Sequence, residues 1–120
     1  MRRILVVDDV SDLRDFLSQA LFEVGFDVTT SSNVTEAKEF LRRDELGCAV
    51  LLDLGLPDMP GQDLLEWIRL HPRHRMAPII VITADSRVRA VPGSLAVMTK
   101  PIDMDYLVRL LNVHCTRQAN

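Results

Sequence analysis

The sequence predicts an α/β domain in which helices cover both faces of a parallel sheet. Three short apolar runs are continuous rather than alternating, and polar or turn residues bound each of them. They lie at residues 4–7, 49–52 and 79–82. Continuous β-branched runs of this length are typical of strands that are buried on both faces. Helical apolar patterns lie between them, and this alternation predicts one doubly wound domain over residues 1–120.

The first half of the sequence predicts a strand, a helix, a second strand and a second helix, in that order. After the first strand, apolar residues spaced three and four apart predict a helix with one inward stripe. The stripe comprises Leu13, Phe16, Leu17, Ala20, Leu21 and Val24. Gly25 is a plausible helix stop, and a weaker strand follows at 27–30. Asn33 and Glu36 resemble a capping box at the start of the second helix.

The second half continues the alternation with one interruption. A third helix runs from about Gln62 and ends before Pro72, and a last helix starts after Asp103. A weak fifth strand is predicted at 95–98. Between the fourth and fifth strands, Pro92 and Gly93 leave room for a helix of about five or six residues at most. We expect residues 84–94 to form a mobile loop or a single helical turn, because the segment is polar.

Composition narrows the possible functions. The chain is 48% hydrophobic and 26% charged with net charge −3, which is typical of a globular domain and argues against nucleic-acid binding by this domain. The basic run at 71–75 is interpreted as solvated surface. No apolar run approaches the ~20 residues of a membrane span, so no membrane partner is expected. Cys48 and Cys115 are expected to be thiols in a reducing compartment, and the predicted location is the cytoplasm.

Polar side chains follow four of the predicted strands. They are Asp8, Asp9, Asp53, Thr83 and Lys100. Ligands of open α/β sheets bind beyond the carboxyl ends of the strands, so these side chains should converge on one crevice. Any one of them alone is better explained as a cap or a solvated residue. Their joint placement predicts a site.

The residue types predict the chemistry of that site. Three crowded carboxylates repel one another unless a cation intervenes, and hard oxygen donors select Mg²⁺. A carboxylate can be the nucleophile that forms an aspartyl phosphate. The charge on a transferring phosphoryl group could then be shared between the metal, Lys100 and the hydroxyl of Thr83. A phosphatase of the haloacid-dehalogenase type also forms an aspartyl phosphate. Such an enzyme requires a second acid two residues after the nucleophile, and this sequence has Gly55 at that position.

The sequence resembles the receiver domains of response regulators, the CheY-like proteins of two-component signalling. The resemblance spans nearly the whole chain. It is carried by residues 4–9 (ILVVDD), 52–61 (LDLGLPDMPG), 82–84 (ITA) and 100–101 (KP). It implies a flavodoxin-like fold with five parallel strands in the order 2-1-3-4-5. Relative to that fold, the helix between the fourth and fifth strands is predicted to be shortened or missing.

The resemblance also implies a role for each site residue. Asp53 is the expected phosphoacceptor, Thr83 the switch hydroxyl, and Lys100 the partner of the phosphoryl group. Mg²⁺ is expected on Asp9, Asp53 and the carbonyl of Gly55, with Asp8 acting largely through water. The phosphodonor is expected to be a sensor histidine kinase or a histidine phosphotransfer protein. The domain is expected to catalyse only its own phosphorylation and dephosphorylation, without turnover of an external substrate.

Two departures concern the output. The chain between Thr83 and Lys100 is several residues shorter than in most receivers, and Val97 stands where many carry Tyr or Phe. An output protein or effector domain is implied but is not specified by the sequence. The alternative function is therefore a degenerate receiver that binds partners independently of phosphorylation.

Overall fold

The structure is a computed structural model that describes residues 2–43 and 49–115. Within these residues the elements alternate as expected, with no helix between the last two strands. The strands are β1 (Arg2–Val7), β2 (Phe26–Ser31), β3 (Ala49–Asp53), β4 (Ile79–Thr83) and β5 (Ala96–Thr99). The helices are α1 (Ser11–Glu23), α2 (Val34–Arg43), α3 (Gly61–Leu70) and α4 (Met104–His114).

The strands form one parallel sheet in the order β2-β1-β3-β4-β5, which confirms the predicted fold class. β3 and β4 are buried along their whole length, as their continuous apolar sequences indicate. The strand order reverses beside β1, and this reversal opens a crevice between β1 and β3 at the carboxyl edge. The predicted site residues therefore meet at that edge.

An apolar core lies on each face of the sheet. On one face, β-strand side chains such as Val50 and Val81 pack against α2 and α3. On the other, Ile80 and Ile82 pack against α1 and α4. The inward stripe predicted for α1 is too wide, because Leu17 and Leu21 are buried whereas Phe16 is 54% exposed. Helix α1 meets the sheet along a narrow line, so only residues on that line are covered.

No helix forms between β4 and β5, and residues 84–95, all of which the structure describes, are turns and irregular backbone. The expectation of a loop is thus confirmed. The expectation of mobility rests on the polar sequence of the segment, yet Val91 is buried and Val88 packs against the α2/α3 core. Arg69 also donates two hydrogen bonds to the carbonyl of Gly93, at 2.9 and 2.6 Å. Mobility of this loop stays a prediction.

Cys115 follows the last turn of α4 and is buried in the core on that side of the sheet. It is disulfide-bonded, so the expectation of a reduced thiol at this position is wrong. Cys48, the other cysteine of the sequence, lies outside the described residues. Among the helices that the structure describes, none is long and apolar enough to cross a membrane.

Candidate functional site

Three carboxylates meet at the carboxyl edge of β1 and β3. Asp8 and Asp53 are buried, with 2% and 6% of their surface exposed, whereas Asp9 is exposed to solvent. One oxygen from each of the three lies within 4.8 Å of the others. Two of these acids have little contact with water, so a positive charge must lie nearby to offset their repulsion.

Lys100 supplies part of that charge. It follows β5, and its Nζ lies 3.0 Å from Asp8 Oδ2 and 3.6 Å from Asp53 Oδ2. The backbone N–H of Lys100 donates to the carbonyl of Thr83 at 2.8 Å, which joins the ends of β4 and β5. The Lys100–Pro101 peptide bond is cis. The ammonium group therefore bridges the two buried carboxylates.

Burial and charge act on Asp53 in opposite directions. Burial raises the pKa of Asp53 above its ordinary value, and the charges of Asp8 and Asp9 add to this. The Gly55 N–H and Lys100 lower it, but by less. Burial alone would lower the pKa of Lys100, yet its bond to Asp8 and the charge of Asp53 raise it overall. Three carboxylates thus face one ammonium group, and negative charge exceeds positive charge in the site.

Backbone groups and one arginine fix where the acids point. The N–H of Val10 donates to Asp8 Oδ1 at 2.9 Å, and the N–H of Gly55 donates to Asp53 Oδ1 at 3.1 Å. Arg14, on α1, donates to the carbonyl of Asp8 at 2.7 Å. These bonds hold the β1–α1 and β3–α3 loops in defined positions. The predicted role of the Gly55 carbonyl as a metal ligand stays a prediction.

Thr83 ends β4 and is 5% exposed. Its Oγ1 accepts a hydrogen bond from the N–H of Asp85 at 3.1 Å. The hydroxyl therefore makes the first contact between β4 and the loop at 84–95. This position suits a residue that transmits a change from the acidic site to that loop, while the switching itself stays a prediction.

Asp58 has a structural role that the sequence reasoning missed. Its carboxylate accepts hydrogen bonds from the N–H groups of Val34 and Thr35, both at 3.0 Å, and from the Thr35 hydroxyl at 2.7 Å. Burial alone would raise the pKa of Asp58, but these bonds lower it to about 2. Asp58 thus caps α2 from the β3–α3 loop. Only its place within the motif at 52–61 could have drawn attention to it.

The raised pKa of Asp53 leads to a prediction about stability in the absence of metal. A carboxyl group with a raised folded pKa destabilises the fold once it is ionised, so this cost is present at neutral pH and disappears as the pH falls below the ordinary value. Asp53→Asn is therefore expected to raise the urea midpoint at pH 7. The increase in the urea midpoint should become smaller as the pH falls. Lys100 is not left without a partner in this variant, because it keeps its ion pair with Asp8.

The measurement is a pair of urea titrations, followed by circular dichroism in EDTA at neutral and acidic pH. Asp63→Asn is the matched control, because Asp63 is an exposed acid in the first turn of α3. It should change the midpoint little. A marked loss of stability in Asp53→Asn at pH 7 would instead indicate that the carboxylate holds the loop together.

Known proteins share this sequence and fold. The family model for the response regulator receiver domain matches residues 4–112. The chain is 35% identical over 115 residues to the response regulator protein PilR of Pseudomonas aeruginosa, covering 92% of this chain and 25% of PilR. It is 36% identical over 117 residues to an uncharacterized 14.6 kDa protein of Leptolyngbya boryana, covering 93% of this chain and 88% of that protein. The chain therefore spans about a quarter of PilR but most of the second relative.

A solved structure of another response regulator has a similar sequence and the same fold. The response regulator protein TrrA of Thermotoga maritima, crystallised with Mg²⁺ and a beryllium fluoride, is 30% identical and superposes with a TM-score of 0.81. The alignment covers 92% of this chain and 96% of that one. The acidic site at the carboxyl edge, the 2-1-3-4-5 sheet and the family match together place this chain in the family of response regulator receiver domains.

Proposed function

We propose that this receiver domain accepts a phosphoryl group on Asp53 in a Mg²⁺-dependent reaction, and that the phosphate switches its contacts with partner proteins. One observation carries the proposal: the oxygens of Asp8, Asp9 and Asp53 cluster within 4.8 Å, and the Lys100 ammonium lies 3.0 and 3.6 Å from the two buried members. A nucleophile, a place for a metal and a fixed cation are thus present together.

The residues fit Mg²⁺. The donors are hard carboxylate oxygens, and the three carboxylates outnumber the one ammonium group beside them. Asp9, Asp53 and the carbonyl of Gly55 would hold the ion, with Asp8 acting largely through water. When bound, Mg²⁺ would neutralise carboxylate charge and negative charge on the phosphoryl oxygens.

The reaction itself transfers a phosphoryl group to an oxygen of Asp53, either from an oxygen of acetyl phosphate or from a nitrogen of a phosphohistidine. An oxygen of the Asp53 carboxylate attacks phosphorus, a new P–O bond forms, and the bond from phosphorus to the donor breaks. With acetyl phosphate the leaving group is acetate, and with a kinase it is the histidine imidazole. Lys100 faces the charge that spreads over the phosphoryl oxygens, and the buried position of Asp53 limits access of bulk water.

The family membership supports the remaining parts of the proposal. The physiological donor is a sensor histidine kinase or a histidine phosphotransfer protein. The proposed location in the cytoplasm rests on the family membership alone, because the disulfide at Cys115 removes the support from reduced cysteines. The domain transfers a phosphoryl group to itself and releases it by hydrolysis, without turnover of an external substrate. TrrA, which is similar in sequence and fold, was crystallised with Mg²⁺ and a phosphoryl mimic. The same mimic is the natural probe here.

Titration with beryllofluoride tests the proposal. Amide NMR spectra recorded with Mg²⁺ and beryllofluoride should show new positions for residues around Asp53 and Thr83. Neither reagent alone should produce them, and Asp53→Asn should show no response. The same spectrum under all conditions would favour the phosphorylation-independent interaction module, which the missing helix between β4 and β5 also favours.

Thr83 is expected to couple the phosphate to the loop. A hydrogen bond from its hydroxyl to a charged phosphoryl oxygen contributes about 1.5–3 kcal/mol, enough to shift a two-state equilibrium roughly ten- to a hundredfold. Thr83→Ala should still take label from acetyl phosphate. With beryllofluoride, its amides at 84–94 should shift far less than in the wild type. Thr83→Ser is the matched control and should respond normally; an unchanged response in Thr83→Ala would rule out this role.

The loop at 84–95 is expected to tighten on activation. In the absence of a helix, its backbone is held by the Arg69–Gly93 bonds, the buried Val91 and the Thr83–Asp85 bond, so local opening should be easier than unfolding of β4. Hydrogen exchange should therefore be fast in this loop and slow down with Mg²⁺ and beryllofluoride. Strong protection that is already present before activation, and unchanged after it, would contradict this.

A further inference from the structure

A group of basic side chains lies at the end of the domain opposite the acidic site, where α2 and α3 end. We call it the basic cluster, and it comprises Lys38, Arg42, Arg43, Arg69, Arg73 and Arg75. Two hydrogen bonds show that its parts meet in space. Arg73 Nη2 donates to the Arg42 carbonyl at 3.0 Å, and Arg69 Nη1 donates to the Arg75 carbonyl at 2.8 Å. The run at 71–75, interpreted above as scattered surface charge, is therefore part of one patch.

In the part of the chain that the structure describes, little negative charge compensates the positive charge of the cluster. Among the described residues its one ion pair joins Arg42 to Glu39 at 3.2 Å. The guanidinium groups of Arg69 and Arg73 bond instead to backbone carbonyls, which carry no net charge. Glu66 is the other described acid on α3 near this end, while Asp44 and Glu45 lie outside the described residues. Cations near a helix C-terminus favour the helix, but Arg73 and Arg75 lie beyond the helices.

Three aromatic rings, those of Trp67, His71 and His74, lie next to the basic cluster. Lys38 Nζ and Arg42 Cζ each lie 5.8 Å from the centre of the Trp67 ring. The His71 ring lies 5.1 Å from Trp67 and 4.6 Å from the stacked ring of His74. His74 is 3% exposed and bonds to the Leu41 carbonyl at 2.8 Å. The His74 ring is therefore fixed within the fold, and Trp67 lies beneath Lys38 and Arg42.

Two large apolar side chains border the cluster. Leu70 follows Arg69, Met76 follows Arg75, and each is 84% exposed. Arg69 also bonds to the carbonyls of Arg75 and Ala77, which brings Met76 to the end of α3. Exposed apolar side chains beside unpaired cations are typical of a surface that binds another protein.

We propose that the basic cluster, with Leu70 and Met76, docks an acidic segment of a partner protein that carries apolar side chains between its carboxylates. Charge complementarity selects the acidic groups, and the two exposed apolar residues select a protein over a nucleic acid. The net charge of −3 and the small size of the patch also disfavour a polyanion, which needs an extended basic stripe. The cluster lies away from Asp53, so docking does not require phosphorylation.

A short fluorescent peptide of glutamate and leucine tests this with the whole chain. Binding is followed by anisotropy and by the emission of Trp67, the one tryptophan of the sequence, which lies under the cluster. The wild type should bind at low ionic strength, and binding should weaken as salt is added. A peptide with glutamine in place of glutamate should bind much less.

Charge reversal locates the site. The double variant Arg73→Glu/Arg75→Glu should weaken peptide binding by about tenfold or more. Arg89→Glu/Arg109→Glu is the matched control, since both arginines are exposed elsewhere and the net charge changes equally; it should stay within about twofold of the wild type. If the double variant does not fold, the single variant Arg75→Glu provides the test in its place. Labelling of Asp53 by acetyl phosphate should be the same in all, which separates this proposal from the proposed function.

Several results would overturn the proposal. These are no peptide binding by the wild type, equal losses in the two double variants, or equal binding of the glutamine peptide. Tighter binding to single-stranded oligothymidylate or to vesicles of anionic phospholipid, lost in Arg73→Glu/Arg75→Glu, would assign the cluster to a nucleic acid or a membrane instead.

Discussion

Replacing Asp53 with asparagine is expected to reduce labelling by acetyl phosphate to background. The amide keeps the size of the side chain and can still accept the bond from the Gly55 N–H, so the loop should keep its shape. It is not a nucleophile toward phosphorus and it is a poor ligand for Mg²⁺. Labelling is measured with radioactive acetyl phosphate, or as a mobility shift on gels that retain phosphoproteins.

Two controls make this result specific. Wild-type labelling should disappear in EDTA and return when Mg²⁺ is restored. Asp63→Asn removes an exposed acid from the first turn of α3 and should label like the wild type. Stoichiometric label on Asp53→Asn would place the acceptor on another residue, whereas absence of label on the wild type would favour the phosphorylation-independent module.

The sheet could be predicted because its signal is local. Continuous apolar runs such as 79–82 are buried in β4 whatever surrounds them, and the alternation with helices implies a parallel sheet. The acidic site could be predicted for the same reason. Its residues end β3 and β4 or lie just beyond β1 and β5, and parallel strands end at a common edge.

Contacts between distant segments could not be predicted. Asp58 caps α2 across 24 positions of sequence, and no local pattern distinguishes it from an ordinary turn residue. From the sequence, Arg69 would be interpreted as a surface residue near the end of α3. Its guanidinium group instead donates hydrogen bonds to the carbonyls of Gly93 and of Ala77, in the connection before β4. The exposure of Phe16 likewise depends on how α1 lies on the sheet.

The region between β4 and β5 could be predicted in part: the absence of a helix followed from the sequence, but the packing of the loop did not. Pro92 and Gly93 correctly indicate that no full helix forms there. They say nothing about what holds the loop, and the apolar residues that do so, Val88 and Val91, are isolated within a polar segment. Gly93 has a φ of +88°, which glycine adopts readily, and an added Cβ would lie 2.8 Å from Leu65, a contact that the sequence pattern does not reveal.

Gly61→Ala is expected to destabilise the domain strongly. Gly61 begins α3, and its N–H donates to the carbonyl of Leu54 at 3.1 Å. A methyl group on Gly61 would collide with the backbone oxygen of Asp53 and would lie 2.9 Å from the Cα of Leu54. Backbone atoms at the end of a buried strand cannot move aside, so the start of α3 must shift. We expect a loss of about 2–3 kcal/mol, measured by urea unfolding.

Gly55→Ala is the matched control for Gly61→Ala. It makes the same chemical change in the same loop, but its methyl group would meet no atom closer than Asp53 Oδ1 at 3.9 Å, an ordinary contact. Its stability should stay within about 0.5 kcal/mol of the wild type. Gly61→Ala should also label more slowly with acetyl phosphate, because any shift of the Asp53 backbone moves its carboxylate away from Lys100. Equal midpoints for the two variants would show that α3 can begin elsewhere, and that close packing at Gly61 does not position the phosphoacceptor.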